Sequence, residues 1–313
     1  MTKMRKALAA LLALWFCVAA FGCGRDAAKP QTGTAAPRIP ENVRVSYLGP
    51  AGTYTEEAAL FFFSEAATFL PEATVMQALE DVAAGDADYA VIPQENTLGG
   101  AVTNYVDALI AQEDVFVVGE VILPISQTLM GVPGATVDDV RLVCSHAQGL
   151  AQSAAWRQAH LPDALTQEMD STAAAARYVA EAGDKSVAAV AAPGAAKLYG
   201  LSVLAENVQI SDANKTRFYV LSALRTEEAG GARAVFLATC AASRIDDILI
   251  ELHNAGLELV AIHDRPEGSR LGIYHYVIEA ECENGITDRQ LKTIERIPEA
   301  RCLGRFDAME KQN

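Results

Sequence analysis

Val43-Arg-Val-Ser-Tyr-Leu48 is a short apolar run, Gly49-Pro-Ala-Gly-Thr-Tyr54 follows it, and Thr55-Glu-Glu-Ala-Ala-Leu-Phe-Phe-Phe-Ser64 closes the segment. The order is strand, glycine loop, helix, with Thr55 as the expected N-cap and Glu56 and Glu57 in the first turn. The alternation continues. Helices are expected over 75–84, 103–111, 148–160 and 172–182, and strands over 89–92, 115–121, 127–132, 142–144, 187–190, 201–204 and 218–221. Strands alternating with helices predict an α/β fold with mostly parallel sheets.

After Leu224 the pattern changes. Arg225-Thr-Glu-Glu-Ala-Gly-Gly231 is a charged linker, and strand, helix, strand, strand, helix, strand follow it over 231–313. That βαββαβ order is the ferredoxin-like split βαβ. Its first helix gathers Ile245, Ile248, Leu249 and Leu252 on one face and has Gly256 just past its end.

With 51% hydrophobic and 21% charged residues, the 313-residue chain has the composition of a packed globular protein. Residues 1–22 have a basic start, an apolar run from Ala7 to Ala20 and a small residue before Cys23, the proportions of an export signal. Ala20-Phe21-Gly22-Cys23 is similar to a bacterial lipobox, which makes Cys23 the expected lipid anchor. Residues 23–42 lack periodicity and are expected to be a flexible tether. Removing the first 22 residues takes Lys3, Arg5 and Lys6 and no acid, so a net charge of −15 becomes −18. Such a field disfavours nucleic acid and anionic lipid, and leaves the membrane only the lipid anchor. The expected localisation is extracytoplasmic. Cys144, Cys240, Cys282 and Cys302 form no CxxC, and no Cys or His pair has zinc-ligand spacing. An oxidising compartment would allow Cys240 and Cys302 to bridge, because the end of the first strand of a βαββαβ sheet lies near the start of the last.

The glycine loop alone is either a tight turn or an anion site at a helix start. Further segments accompany it: Ala87-Asp-Tyr-Ala-Val-Ile-Pro-Gln-Glu-Asn-Thr97 with Gly99 and Gly100, Ser145-His-Ala-Gln-Gly-Leu-Ala-Gln152, Ser171-Thr172, and Asn214-Lys-Thr-Arg-Phe218. In order and spacing the set resembles the prephenate dehydratase family over residues 43–224. The resemblance implies two α/β lobes around a cleft, like type II periplasmic binding proteins, followed by an ACT-like domain. It implies a carbon–oxygen lyase of phenylalanine biosynthesis that converts prephenate to phenylpyruvate without metal or organic cofactor. It also implies a homodimer or homotetramer and L-phenylalanine at the C-terminal domain. Two departures bear on that last point. Ser243-Arg-Ile-Asp-Asp247 stands in place of Gly-Ala-Leu, and His263-Asp-Arg-Pro266 in place of Glu-Ser-Arg-Pro. A third puts Gln127 where the family has His, which keeps a donor and loses a titratable group.

Prephenate is a dianion that must lose carbon dioxide and a ring hydroxyl. The resemblance makes Thr216 the catalytic residue; because its hydroxyl is a poor acid, it would act as a hydrogen-bond donor in a dry cleft. Arg217 is expected either to counter a carboxylate or to form an ion pair behind the site. Phe218 is core or a stacking surface. Asn96 and Thr97 are donors or an Asn-initiated turn, and Glu95 is an orienting residue. Ser145 and Gln148 match substrate-side positions, and His146 reads as a capping or surface residue. Thr53, Ser171 and Thr172 are hydroxyls near helix starts, able to cap and to bind. The competing reading is a solute-binding lipoprotein that kept the cleft for an aromatic or keto acid and lost the chemistry.

Overall fold

In the computed structural model, which describes residues 42–211, 213–225 and 231–312, the opening segment folds as β1 (Arg44–Leu48) and α1 (Tyr54–Phe63). Thr53 rather than Thr55 caps the helix: its hydroxyl accepts from the Glu56 N–H, while Thr55 is buried on the wall of the cavity described below. Gly52, at φ +85°, tightens the loop enough to start the helix two residues early. The expected signal, the Cys23 anchor and all but the last residue of the tether lie outside the described residues. Among the described residues no helix is long and apolar enough to cross a membrane.

The first lobe continues with β2 (Thr68–Glu72), α2 (Val75–Ala84), β3 (Tyr89–Asn96), β4 (Gly100–Ala101), α3 (Thr103–Ala111) and β5 (Phe116–Pro124). The chain then crosses to a second lobe, built from β6 (Thr128–Gly131), β7 (Leu142–Ser145), α4 (Ala147–Gln152), α5 (Ala154–His160), β8 (Leu165–Glu168), α6 (Thr172–Ala182), β9 (Val187–Ala191), α7 (Pro193–Tyr199) and β10 (Ser202–Ala205). It returns as β11 (Lys215–Ser222), which runs antiparallel between β3 and β5 in the first lobe's sheet. Two crossings make the cleft. The crossings are tied to each other, Ile125 N–H donating to Asn214 O at 2.8 Å and Val208 N–H to Gln127 O at 2.9 Å.

The expectation of mostly parallel sheets is corrected by these returns. β1 pairs in parallel with β2 and β3, and β7 with β8 and β9, but β11, β6 and β10 pair antiparallel. A strand re-entering from the other lobe arrives against its neighbours. The helix expected over 148–160 breaks at Ser153, whose hydroxyl donates to Gly149 O at 2.7 Å, the back-bonding that bends helices. Strands β2 and β8 escape a hydrophobicity reading because one contains Pro71 and the other, Leu-Thr-Gln-Glu, is exposed throughout.

β12 (Arg233–Ala241), α8 (Ile245–Asn254), β13 (Glu258–Pro266), β14 (Ile273–Glu281), α9 (Asp288–Ile294) and β15 (Ala300–Phe306) form the expected βαββαβ unit, in sheet order β13-β14-β12-β15. One face of this sheet holds Phe236, Ile278 and Cys302 against Ile248, Leu252 and Ile294 of the helices. The other face puts Val235, Leu237, Val277, Leu303 and Phe306 into one core with Val117, Tyr219 and Leu221 of the first lobe. The described residues form one compact unit. Its last strand, β16 (Ala308–Glu310), pairs with β5 at the edge of the first-lobe sheet. The Cys240–Cys302 bridge is not formed, and both thiols are free and buried. Cys302 stands opposite Phe236, so Cys240 is four residues further along the strand, about 13 Å and beyond the roughly 7 Å that a disulfide spans.

Candidate active site

A cavity of about 780 Å³ lies between the lobes. Its first wall is the β3/β11 pair, in which Asn96 stands directly opposite Thr216. Side chains alternate along a strand, so Thr216 and Phe218 face the cavity while Arg217 and Tyr219 face the back. Asn96 Nδ2 donates to Thr216 Oγ1 at 2.9 Å and to Asn214 Oδ1 at 2.8 Å. Asn96 Oδ1 accepts from the N–H groups of Leu98 and Gly99 at 3.0 and 2.9 Å, and from Gln148 Nε2 across the cleft at 3.2 Å. Its orientation is therefore fixed from both ends. Thr216 is 8% exposed, and among the described residues its own proton has no acceptor. That proton is available to a ligand.

The far wall comes from the second lobe. Gln148 and Gln152 lie one turn apart on α4, and Ser171 and Thr172 start α6. Gln127, on the first crossing, donates to Gln152 Oε1 at 3.0 Å. Gln127 is 3% exposed, and its own Oε1 has no partner. A buried carbonyl oxygen without a donor costs on the order of 1–3 kcal/mol, and a ligand hydroxyl would relieve that.

Among the described residues no lysine or arginine lines the cavity; Glu72 and Asp170 do. Burial raises the Glu72 carboxyl above its ordinary pKa, and the neighbouring Asp81 carboxylate adds to the shift. An anion held here must rely on neutral donors. Two of the longer helices, α1 and α6, begin at the cavity with Thr53 and Ser171 as N-caps, each hydroxyl accepting one backbone N–H. Their other first-turn N–H groups have no helical partner, and the helix dipole makes both starts positive. The loop before α1 is held open to this use: Gly52 N–H donates to Glu56 Oε2 at 2.6 Å, and Tyr199 of the second lobe donates to Ala51 O at 2.9 Å.

Of the residues singled out in the sequence, Thr53, Asn96, Gln148, Ser171, Thr172, Thr216 and Phe218 come together around this cavity. Three do not. Arg217 points away from it into a buried ion cluster, bonded to Glu120, to Glu279 and, at 3.1 Å, to Glu95. It thus takes the second of its two expected roles, because its neighbour Thr216 occupies the cavity face. Glu95 is the orienting residue expected, acting on Arg217. Ser145 is fully buried and donates to Val190 O at 2.6 Å, occupying the space that Gly149 leaves open. Thr97 joins the crossing to β3 instead, donating to Ala213 O and accepting from Lys215 N–H, both at 3.0 Å. His146 caps α4 through Nδ1, 3.3 Å from Gln148 N, and stands at the cavity edge. Gln152 was missed as a lining residue, although its position four after Gln148 puts both on one helix face.

The prephenate dehydratase family profile matches residues 45–226. The prephenate dehydratase of Amycolatopsis methanolica is 35% identical over 84% of this chain and 88% of its own. The solved prephenate dehydratase of Arthrobacter aurescens in complex with L-Phe is 33% identical, with a TM-score of 0.76 over 85% of this chain and 90% of that one. A solved quorum quenching acylase, GqqA, is 27% identical, with a TM-score of 0.75 over 85% and 98%. Three of the family's segments, around Asn96, Gln148 and Thr216, meet at one cavity between two lobes, and the chain belongs to the prephenate dehydratase family.

Proposed function

We propose that the chain is a prephenate dehydratase whose turnover runs through the Thr216 hydroxyl. The observation that carries this reading is the Asn96–Thr216 hydrogen bond, which occupies an Oγ1 lone pair of a hydroxyl on the cavity wall and leaves its proton without an acceptor among the described residues. In the reaction the bond from the ring to its carboxylate breaks and carbon dioxide leaves. That electron pair enters the ring, and the ring carbon–oxygen bond breaks on the opposite side. The departing hydroxyl takes hydrogen-bond support from Thr216, which keeps its own proton, and the proton that completes the water molecule comes from solvent. Aromatisation drives the step, so one donor in a preorganised, water-poor site suffices. The substrate's two carboxylates are assigned to the Gln148 amide and to the starts of α1 and α6. This is the charge balance that a cavity lined by neither lysine nor arginine among the described residues permits.

A solute-binding role has no use for an oriented hydroxyl with a free proton. An acylase role would need a hydroxyl paired with a base, and among the described residues no cavity hydroxyl is hydrogen-bonded to an imidazole or a carboxylate. The test is to mix purified protein with prephenate and follow phenylpyruvate. Tight binding of prephenate without turnover would leave the solute-binding reading standing.

The finer parts of the proposal concern the ends of the chain. Residues 1–22 are assigned as the export signal, Cys23 as the lipid anchor and 23–42 as the tether of an extracytoplasmic protein; Cys23→Ala should release the protein from membranes. Residues 43–224 are assigned as the catalytic module and 231–313 as an ACT-like module. A second cavity of about 330 Å³, with Arg244, Arg270, Glu267 and Glu299 on its walls, offers both charge signs to a zwitterion such as L-phenylalanine. Arg244 is engaged with Asp247 at 2.6 Å at the position where a glycine would admit the ligand, so inhibition by L-phenylalanine should be weak. Assembly as a dimer or tetramer is assigned to the C-terminal sheet, whose edge strand β13 has an unpaired side; light scattering tests it.

A further inference from the structure

Behind the catalytic pair lies a buried cluster that the reaction does not touch. Arg217 Nε is bonded to Glu120 of β5 and Arg217 Nη2 to Glu279 of β14. Arg233 of β12 reaches Glu120 Oε2 at 2.6 Å and Glu279 Oε1 at 3.2 Å. The other Glu279 oxygen accepts from Tyr219 Oη and from Gln94 Nε2, both at 2.9 Å. Glu120 and Glu279 are 0% and 1% exposed. One carboxylate of the C-terminal domain is thus bonded to three residues of the first-lobe sheet, and those three flank the site. Gln94 is two residues before Asn96, and Arg217 follows Thr216.

The register of the β3/β11 ladder makes this placement matter. Arg217 pairs with Glu95 but Phe218 pairs with Pro93, so Gln94 is an extra residue and the ladder slips at that point. A bulge re-aims nearby side chains and breaks the regular hydrogen bonding that would otherwise set their alignment. Asn96 and Thr216 lie immediately beside it. The bulged residue, Gln94, and the two β11 residues that point backward, Arg217 and Tyr219, all converge on Glu279.

We infer that Glu279 is a positioning residue for the reaction: from the C-terminal domain it fixes the alignment of Thr216 with Asn96 across the bulge. The inference rests on the reading of Thr216 as the hydroxyl donor. The residues assigned to hold the carboxylates in the second lobe do not touch the cluster, so the effect belongs in kcat rather than KM.

The experiment uses the full chain with Glu279→Gln and with Tyr219→Phe, which removes one hydroxyl from Glu279 and leaves every charge in place. Each is made alone and combined with Thr216→Ala. In the Thr216 background, kcat is expected to fall at least about tenfold for Glu279→Gln and about three- to fivefold for Tyr219→Phe, with KM within about twofold. In the Thr216→Ala background neither change should lower the residual rate further, because both act through the hydroxyl that is gone. If Glu279→Gln does not fold, Tyr219→Phe decides alone. Wild-type kcat in folded variants, or an equal loss in both backgrounds, overturns the positioning role and leaves Thr216 intact. Wild-type turnover by Thr216→Ala overturns the Thr216 reading, and the role of Glu279 with it.

Discussion

Asn96 Nδ2 donates to Thr216 Oγ1 at 2.9 Å across an antiparallel strand pair, so a lone pair of the hydroxyl is engaged and, among the described residues, its proton has no acceptor. Removing that proton should leave binding and remove chemistry. Thr216→Ala is expected to lower kcat by about 10²–10³, the scale of losing one preorganised donor, while KM changes little. The side chain is buried but small, so the melting temperature should move by only a few degrees, roughly the effect of about 1 kcal/mol. Thr216→Ser keeps the donor and should recover most of the rate. Steady-state kinetics on the three proteins checks this.

Asn96→Asp separates the two ends of the amide. A carboxylate still accepts from the Leu98 and Gly99 N–H groups but cannot donate to Thr216, and it places a negative charge beside a dianionic substrate. The hydroxyl loses its orientation and the substrate meets repulsion. We therefore expect kcat to fall by about 10² and KM to rise, in contrast to Thr216→Ala, where only kcat moves. Asn96→Ala, which adds no charge, should affect KM less than Asn96→Asp does.

The front of this site was readable in the chain and its back was not. Asn96, Gln148 and Thr216 lie in segments whose spacing carries the family resemblance, and strand alternation alone would have turned Arg217 away from Thr216. Ser171 was legible as a cap because a hydroxyl before a helix has few other uses, whereas the cap of α1 was placed on Thr55, two residues late. Ser145 misled, because a Ser at a strand end looks like a ligand, whereas here it satisfies the Val190 carbonyl in space cleared by Gly149. The ion cluster was out of reach, since Glu120, Arg217 and Glu279 belong to three separate elements and meet only once the C-terminal sheet has docked. The antiparallel return of β11 was hidden for the same reason: hydrophobic period gives a strand and not its direction.

Glu279 gives the stability of the folded chain a dependence on acid. Burial would raise its pKa, but hydrogen bonds from Arg217 and Tyr219 and the charges of Arg217 and Arg233 outweigh that, and the net shift is downward. A depressed carboxyl contributes stability that is complete above its unfolded pKa, about 4.3, and is lost as pH falls through the folded value. The melting temperature should therefore decline as pH drops below about 4.3. In Glu279→Gln the decline should be shallower, from a lower starting point at pH 7, because two half-buried guanidinium groups are then left under-compensated. Thermal melts of both proteins from pH 7 to pH 3 measure the two slopes.

The docking of the C-terminal sheet rests on a close approach at Gly304. A Cβ built on that residue would lie 1.9 Å from the Val117 carbonyl oxygen, a backbone atom of β5 that no rotamer change can move aside. Gly304→Ala must push β15 off the catalytic sheet and loosen Leu303 and Phe306 from the core they share with Val117 and Tyr219. Overpacking of this kind costs about 3 kcal/mol, which in a chain of this size lowers the melting temperature by roughly 6–12 °C. Glu279 sits in the same sheet, so turnover at 25 °C should fall as well while the protein is still folded. Gly194→Ala provides the contrast, because nothing lies within 4 Å of that added Cβ and its backbone is helical. Its melting temperature should hold or rise slightly, by the entropy an alanine removes from the unfolded chain. Equal melting temperatures for the two variants would show that β15 and β5 are free to separate, and the C-terminal sheet would then have no fixed hold on the strands that carry Thr216.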